Sequence, residues 1–117
     1  MLTQTEIHQD DSGIAIVKFT GRLTLGSSMS LAESKINQLI DGQGVLKIIF
    51  DLASVEFMDS AGLGLVIYMH GKLREKGGQL RLASPNPHVL DLFRMTHTAA
   101  LLQIDSDTHE SAERLKL

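Results

Sequence analysis

The sequence predicts an α/β fold, with a mixed, mostly parallel sheet of four to five strands and about four helices in a single domain covering residues 1–117. Segments with strand patterns alternate along the chain with segments of helical periodicity. A length of 117 residues with 43% hydrophobic residues is sufficient for one buried core. Strand and helix in alternation favour right-handed crossovers, and functional groups then collect at the carboxyl ends of the strands.

The first half of the chain is predicted to contain a hairpin, a helix and a central strand. Residues 14–19 alternate as a strand, and a further strand at residues 5–8 is expected to pair with it through a turn at 10–13. Apolar residues then recur at steps of three and four, which predicts a helix that begins after Ser27 or Ser28 and ends at Gly42. The run VLKIIFDL, residues 45–52, has almost no polar face and is typical of a strand covered on both sides.

The second half continues the alternation. A helix over residues 60–76 ends at Gly77 and Gly78, and residues 79–83 alternate as a strand. Asn86 is expected at the N-cap of a short helix whose first residue is Pro87. A weak strand at residues 101–104 precedes a last helix, which is predicted to open with Asp107 and Glu110 and to reach about Leu117.

Composition excludes several classes of function. The net charge is -3 and the basic residues are scattered, so nucleic-acid binding is not expected. No apolar run is long enough to cross a bilayer, residues 1–10 contain no signal-peptide core and cysteine is absent, so we expect a cytoplasmic protein that does not enter a membrane. The five histidines stand singly, and neither a metal nor another cofactor is predicted.

Rival chemistries have weak support. Ser60 is not part of a Gly-x-Ser-x-Gly elbow, so it is not predicted to be a catalytic nucleophile and the chain is not predicted to be an enzyme. Gly62 and Gly64 lack the third glycine of a dinucleotide-binding loop. Asp51 could be a phosphate acceptor after a central strand, but no acidic pair follows the first strand, and a role in capping the turn at residues 53–54 is favoured.

The stretch FMDSAGLG, residues 57–64, lies where the central strand gives way to a helix. When its residues are placed at about 100° each around the helix axis, one face is expected to pack on the core of the protein. The opposite face carries Ser60, Leu63, Gly64, Ile67, Gly71 and Arg74, and exposed aliphatic side chains beside glycines form a surface that another protein could approach closely.

Two interpretations of Ser60 remain open from its local chemistry. Asp59 or Ser60 is an ordinary N-cap in one of them. In the other, Ser60 is a phosphorylation site, because the amino-terminal end of a helix offers N–H donors and a positive dipole to a phosphate. A phosphate of about -2 charge would then oppose burial of the apolar face against a partner.

Residues 51–83 strongly resemble the bacterial anti-sigma factor antagonists of the STAS domain family. The shared pattern is a strand ending in Asp-Leu, a short loop, Phe-Met-Asp-Ser-x-Gly-Leu-Gly, a helix, then Gly-Gly and a strand. The resemblance extends weakly over nearly the whole chain, including Gly21-Arg22-Leu23 in the first loop and residues 87–95 in the third helix.

The resemblance implies a switch in which an anti-sigma factor serine kinase phosphorylates Ser60 and a serine phosphatase removes the phosphate. The unphosphorylated form binds the kinase and frees the sigma factor. The implied docking helix carries Leu63 and Ile67, and Asp59 is the acid beside the serine. The full set of residues predicted to contact the partner is Arg22, Thr24, Met58, Asp59, Ser60, Leu63, Gly64 and Ile67.

Position 24 departs from the pattern of the family. Its first loop commonly reads Gly-x-Leu-Asp, and the acid contributes to the kinase contact, whereas this chain has Thr24. The alternative hypothesis is therefore a non-switching interaction subunit of another protein complex, which would use the same helix face while Ser60 remains silent.

Overall fold

A computed structural model describes residues 2–116 and contains one five-stranded sheet with the strand order β1-β2-β3-β4-β5. The strands are β1 (Leu2–Gln9), β2 (Ile14–Leu23), β3 (Lys47–Met58), β4 (Gln79–Ala83) and β5 (Ile104–Asp105). The helices are α1 (Ser27–Asn37), which continues into a π-helical turn (Gln38–Gly42), α2 (Ser60–Glu75), α3 (Pro87–Met95) and α4 (Thr108–Leu115). The predicted α/β class, the mixed sheet and the four helices are confirmed, while Leu117 lies outside the described residues.

The connections explain how the helices are distributed. β1 and β2 form the predicted antiparallel hairpin, and each later pair of neighbouring strands is parallel. Right-handed crossovers between successive strands place α1, α2 and α3 on the same face of the sheet. The main core lies on that face and includes Phe19, Phe50, Met69 and Phe93, with the rings of Phe19 and Phe50 packed edge to face at 5.1 Å. α4 covers part of the other face through Leu115 and Ala112.

A buried ion pair fixes α4 and β5 to the sheet. Asp105 is 3% exposed and accepts two hydrogen bonds from the guanidinium of Arg81, at 2.6 and 2.9 Å. The hydroxyl of Ser111 in α4 donates to the same carboxylate at 2.6 Å. Burial raises the pKa of Asp105, but the donors from Arg81 and Ser111 outweigh it and leave that pKa below its ordinary value.

Two of the predicted helix starts are confirmed and one is wrong. The side chains of Asn86 and Asp107 are the N-caps of α3 and α4, and they accept hydrogen bonds from the backbone N–H groups of Val89 and Glu110. α1, in contrast, begins after Gly26 without any side-chain cap, so neither Ser27 nor Ser28 has the expected role.

The central strand is longer than predicted and this extension carries the candidate site. β3 runs to Met58 rather than residue 52, although β4 pairs with it only as far as Asp51. Beyond that point β3 pairs with β2 alone, up to the contact of Leu23 with Met58. Asn86 braces the extension, because its side-chain amide donates to the carbonyl of Val55 at 2.9 Å. The carboxyl ends of β2 and β3 therefore project together beyond the rest of the sheet.

Candidate functional site

Ser60 is the first residue of α2 and is exposed at the end of the β3 extension. The N-cap of the helix is Asp59, whose Oδ1 accepts a hydrogen bond from the backbone N–H of Gly62 at 2.9 Å. The hydroxyl of Ser60 makes no hydrogen bond to any of the described residues. Because the neighbouring carboxylate satisfies the helix end, the serine side chain has no capping role.

The carboxylate of Asp59 also holds the loop between β2 and α1. Its Oδ2 accepts a hydrogen bond from the backbone N–H of Leu25 at 3.1 Å, and the N–H of Asp59 donates to the carbonyl of Leu23 at 3.4 Å. Partial burial raises the pKa of Asp59, but the donors from Gly62 and Leu25 outweigh it, and the pKa lies below the ordinary value of 3.8. Asp59 is therefore ionised at neutral pH and joins the loop to the helix.

Glycine is required at position 62 because the first turn of α2 lies close to the ends of β2 and β3. A methyl group at this position would lie 2.3 Å from the carbonyl oxygen of Leu23 and 2.7 Å from Cγ of Met58. The first of these neighbours is backbone and cannot move aside without displacing β2. The glycine in FMDSAGLG thus sets the distance between the first turn of α2 and the strands that support it.

The outward face of α2 presents a surface of small and apolar residues, which we call the α2 outer face: Ser60, Gly64, Ile67, Tyr68 and Gly71. The exposed fractions of Ile67 and Tyr68 are 36% and 51%. A methyl group built on Gly64 or Gly71 would meet no atom within 4 Å. Nothing within the described part of the chain therefore requires glycine at either position.

The predicted exposure of Leu63 is wrong, and Met58, another residue predicted to contact the partner, is also buried. Leu63 is only 8% exposed, because it packs in the main core. Met58 is 2% exposed, because its side chain lies beneath the first turn of α2, against Gly62. Both residues support the site from inside.

The remaining predicted residues lie around Ser60 on the surface. Gly64 and Ile67 are exposed on α2, whereas Arg22 and Thr24 border a shallow groove of about 550 Å³ that Asp59 also lines. The guanidinium of Arg22 lies 4.7 Å from the centre of the Phe57 ring, which itself stacks on His88 at 5.0 Å. The structure thus brings the ends of β2 and β3 and the start of α3 together beside Ser60.

Sequence reasoning missed two surface residues and one contact between side chains. Tyr68 follows Ile67, on the side of α2 that bears Gly64 and Gly71, and the helical period could have found it. Leu25 is 82% exposed in the loop held by Asp59, where no periodic pattern identifies it. The stacking of Phe57 on His88 joins residues 31 positions apart and has no signal in a single sequence.

The described residues offer no grouping suited to a metal. Within residues 2–116, no three His, Cys, Asp or Glu side chains are close enough to hold a metal ion. Among the helices described, none is both long enough and apolar enough to span a membrane.

The fold is that of a small α/β domain, and α2 presents an exposed face of small and apolar residues. The model of the STAS domain matches residues 5–111, and the chain belongs to this family. The Anti-sigma F factor antagonist of Paenibacillus polymyxa is 27% identical over 92 residues, which cover 79% of this chain and 78% of that protein.

Solved structures share the fold at lower identity. The crystal structure of TM1081 from Thermotoga maritima has a TM-score of 0.88 at 22% identity, and the match covers 97% of this chain and 95% of that chain. SpoIIAA of Bacillus matches in its unphosphorylated form with a TM-score of 0.78, at 22% identity, over 97% of this chain and 98% of that chain. Its phosphorylated form matches with a TM-score of 0.76, at 22% identity, over 95% and 98% of the two chains.

Proposed function

We propose that this protein is an anti-sigma factor antagonist that binds an anti-sigma factor serine kinase when it is unphosphorylated. Phosphorylation of Ser60 releases it, and a serine phosphatase restores binding. The observation that carries the proposal is the exposed hydroxyl of Ser60 at the edge of the α2 outer face, left uncommitted because Asp59 caps the helix. The relative from P. polymyxa bears this functional name, and SpoIIAA is known in both phosphorylation states.

The geometry supports modification without unfolding. A phosphate on Ser60 would extend into solvent from the positive end of α2, which stabilises an anion by up to about 1 kcal/mol. The carboxylate of Asp59 opposes it through charge repulsion, and Asp59 already occupies the N–H of Gly62. We therefore expect the fold to tolerate the phosphate.

The effect of the phosphate is expected at the interface. Ile67 and Tyr68 offer apolar area, and Gly64 and Gly71 let a partner backbone approach α2 closely. A dianion at the edge of that surface would lose its hydration in the complex without a cation to replace it, at a cost of several kcal/mol. Each 1.4 kcal/mol lowers affinity about tenfold.

The protein itself would act by binding and not as a catalyst. In this proposal the kinase and the phosphatase supply the chemistry, and the domain provides the acceptor hydroxyl and the docking surface. Such partner switching places the protein in the cytoplasm with the transcription machinery.

A second candidate has one observation in its favour. The loop between β2 and α1 carries Thr24 where the antagonists commonly have an acid, so a kinase contact that depends on a carboxylate there is missing. A non-switching interaction subunit would use the same α2 outer face and would bind its partner whatever the charge at position 60.

The test uses serine kinases encoded in the same genome, incubated with the purified chain and labelled ATP. We expect label on the native chain and on Ser34→Ala, a control at another exposed serine, and none on Ser60→Ala. The kinase that labels the chain then serves as the binding partner. Ser60→Asp should weaken its binding at least tenfold, about 1.4 kcal/mol, while Ser60→Ala and Ser34→Asp bind as the native chain does.

Two results would reject the switch. Label that persists in Ser60→Ala would place the modification elsewhere. Equal binding of Ser60→Asp and Ser60→Ala would favour the non-switching subunit. Ile67→Asp tests the surface independently of the switch, because it should abolish binding in both candidates, and Leu31→Asp, at an exposed leucine of α1, is its control.

A further inference from the structure

A second cavity lies at the end of the sheet where the parallel strands begin, opposite to the end that carries Ser60. It has a volume of about 490 Å³, which is within the range of small-molecule sites. Ser60 and Arg74, which lines this cavity, are 14 residues apart on α2, or about 21 Å along the helix axis. A ligand there would not touch the surface assigned to the protein partner.

The cavity has an apolar floor and rim. Leu80 and Leu115 are 1% and 2% exposed and form its floor, where β4 begins and α4 ends. Leu46 and Leu101 are 39% and 58% exposed and form part of the rim. A ligand that covered Leu46 and Leu101 would remove their exposed apolar area from water, which favours an aliphatic group.

The polar groups around the cavity are basic or neutral. Lys47, His70 and Arg74 line it together with the amides of Gln79 and Gln103, and none of the lining residues described is acidic. Across residues 2–116, no carboxylate lies within ion-pair distance of Lys47 or Arg74, whereas six other Lys and Arg side chains pair with acids: Lys72, Lys76, Arg81, Arg94, Arg114 and Lys116. Two unpaired cations beside an apolar floor favour an anionic ligand.

The backbone that frames the cavity is fixed. Gly77 has φ +81°, a conformation that favours glycine, and a methyl group on Gly78 would lie 2.2 Å from the carbonyl oxygen of Leu46. The N–H of Gln79 donates to that same carbonyl at 2.8 Å, and the N–H of Gly78 donates to the carbonyl of Leu73 at 2.7 Å. The carbonyls of Leu46 and Leu73 are thus paired within the backbone.

We propose that this cavity binds a small aliphatic carboxylate, with the alkyl chain on the leucines and the carboxylate between Lys47 and Arg74. The proposal is independent of the function assigned to Ser60. A carboxylate satisfies both halves of the lining, whereas a neutral alcohol leaves the cations unpaired and an alkylammonium ion is repelled by them.

The test is a titration of the full chain with sodium hexanoate, followed by the amide resonances of the ¹⁵N-labelled protein. We expect saturable shifts centred on Gly77, Gly78 and Gln79, which line the cavity. Hexan-1-ol should bind at least fivefold more weakly than hexanoate, and hexylammonium chloride should not bind. Equal affinity for hexanoate and hexan-1-ol, or no saturation below about 20 mM, would overturn the proposal.

Matched variants locate the contacts. Arg74→Gln should weaken hexanoate binding at least fivefold, while Lys35→Gln, which removes one exposed positive charge from α1, should change it less than twofold. Leu101→Ser should also weaken binding, and Met95→Ser, at an exposed methionine outside the cavity, should not. Equal effects in either pair would show that overall charge or hydrophobicity is responsible and would contradict the site.

Discussion

The inner and outer faces of α2 use the same kinds of residue for different purposes. The inner face carries Gly62, Leu65, Val66, Met69 and Leu73, all buried against the sheet. The outer face carries Gly64, Gly71, Ile67 and Tyr68, with no neighbour near either glycine. The fold itself requires glycine at position 62, because the carbonyl of Leu23 leaves no room for a side chain there.

The contrast between Gly62 and Gly64 indicates which face of α2 a partner would contact. Each solvent-exposed glycine in a helix costs about 1 kcal/mol relative to alanine. Gly64 and Gly71 both carry this cost on the outer face, and no packing contact within the described chain compensates for it. Under the proposed function, a second protein that packs on α2 would account for these glycines, and the exposed Ser60 lies at the same surface.

The largest expected effect of a single substitution is on the inner face. Gly62→Ala should lower the free energy of unfolding by about 3 kcal/mol, because the new methyl group meets backbone at 2.3 Å. Urea denaturation followed by circular dichroism measures it. A loss below 0.5 kcal/mol would mean that the first turn of α2 is not held tightly against β2, and the contrast between the two glycines would fail.

Removal of the helix cap is expected to be the next largest effect. Asp59→Ala should lower the free energy of unfolding by about 1–2 kcal/mol, because the N–H groups of Gly62 and Leu25 both lose their acceptor. Hydrogen exchange at the amide of Leu25 should also become faster. If exchange at Leu25 were unchanged while the protein was destabilised, Asp59 would cap the helix without holding the loop.

Gly64→Ala should have the opposite sign on stability. The free energy of unfolding should increase by about 1 kcal/mol, because the methyl group has open space and alanine favours the helix. Binding to the protein partner should become weaker, because the same methyl group would hold the partner away from α2. Gly71→Ala is a second probe of this face, and tighter binding by both variants would contradict the docking surface.

A smaller effect concerns pH. The pKa of Asp59 is lowered in the folded state, so its ionisation contributes stability at pH values above its ordinary pKa of 3.8, and that contribution is lost as the pH falls through the folded value. Asn caps helices as well as Asp but has one acceptor oxygen, so Asp59→Asn should keep the hydrogen bond from Gly62, lose the one from Leu25 and retain part of the stability at pH 7. Between pH 7 and pH 3 the variant should lose less stability than the native chain, and an equal loss would assign the acid sensitivity to other groups such as Asp105.

Much of the fold could be predicted because its signals are local. The caps at Asn86 and Asp107 and the strand at residues 79–83 each depend on a few adjacent residues, and the structure confirms them. The extension of β3 to Met58 was missed, because residues 53–58 are stabilised by pairing with β2, a contact between distant parts of the chain.

The candidate site was predicted less completely for the same reason. The helical period correctly placed Gly64 and Ile67 outside, but it could not show that Leu63, predicted on the same face, packs in the main core. The choice of Asp59 rather than Ser60 as the cap depends on a geometry that local composition leaves open.

The most direct test compares the affinity of the serine kinase partner for the unmodified chain and for the chain phosphorylated at Ser60, each measured by calorimetry at the same ionic strength. We expect phosphorylation to weaken binding at least a hundredfold, about 2.7 kcal/mol, with the folded structure unchanged by circular dichroism. Affinities that agree within twofold would contradict the central claim that the hydroxyl of Ser60 controls access to the α2 outer face.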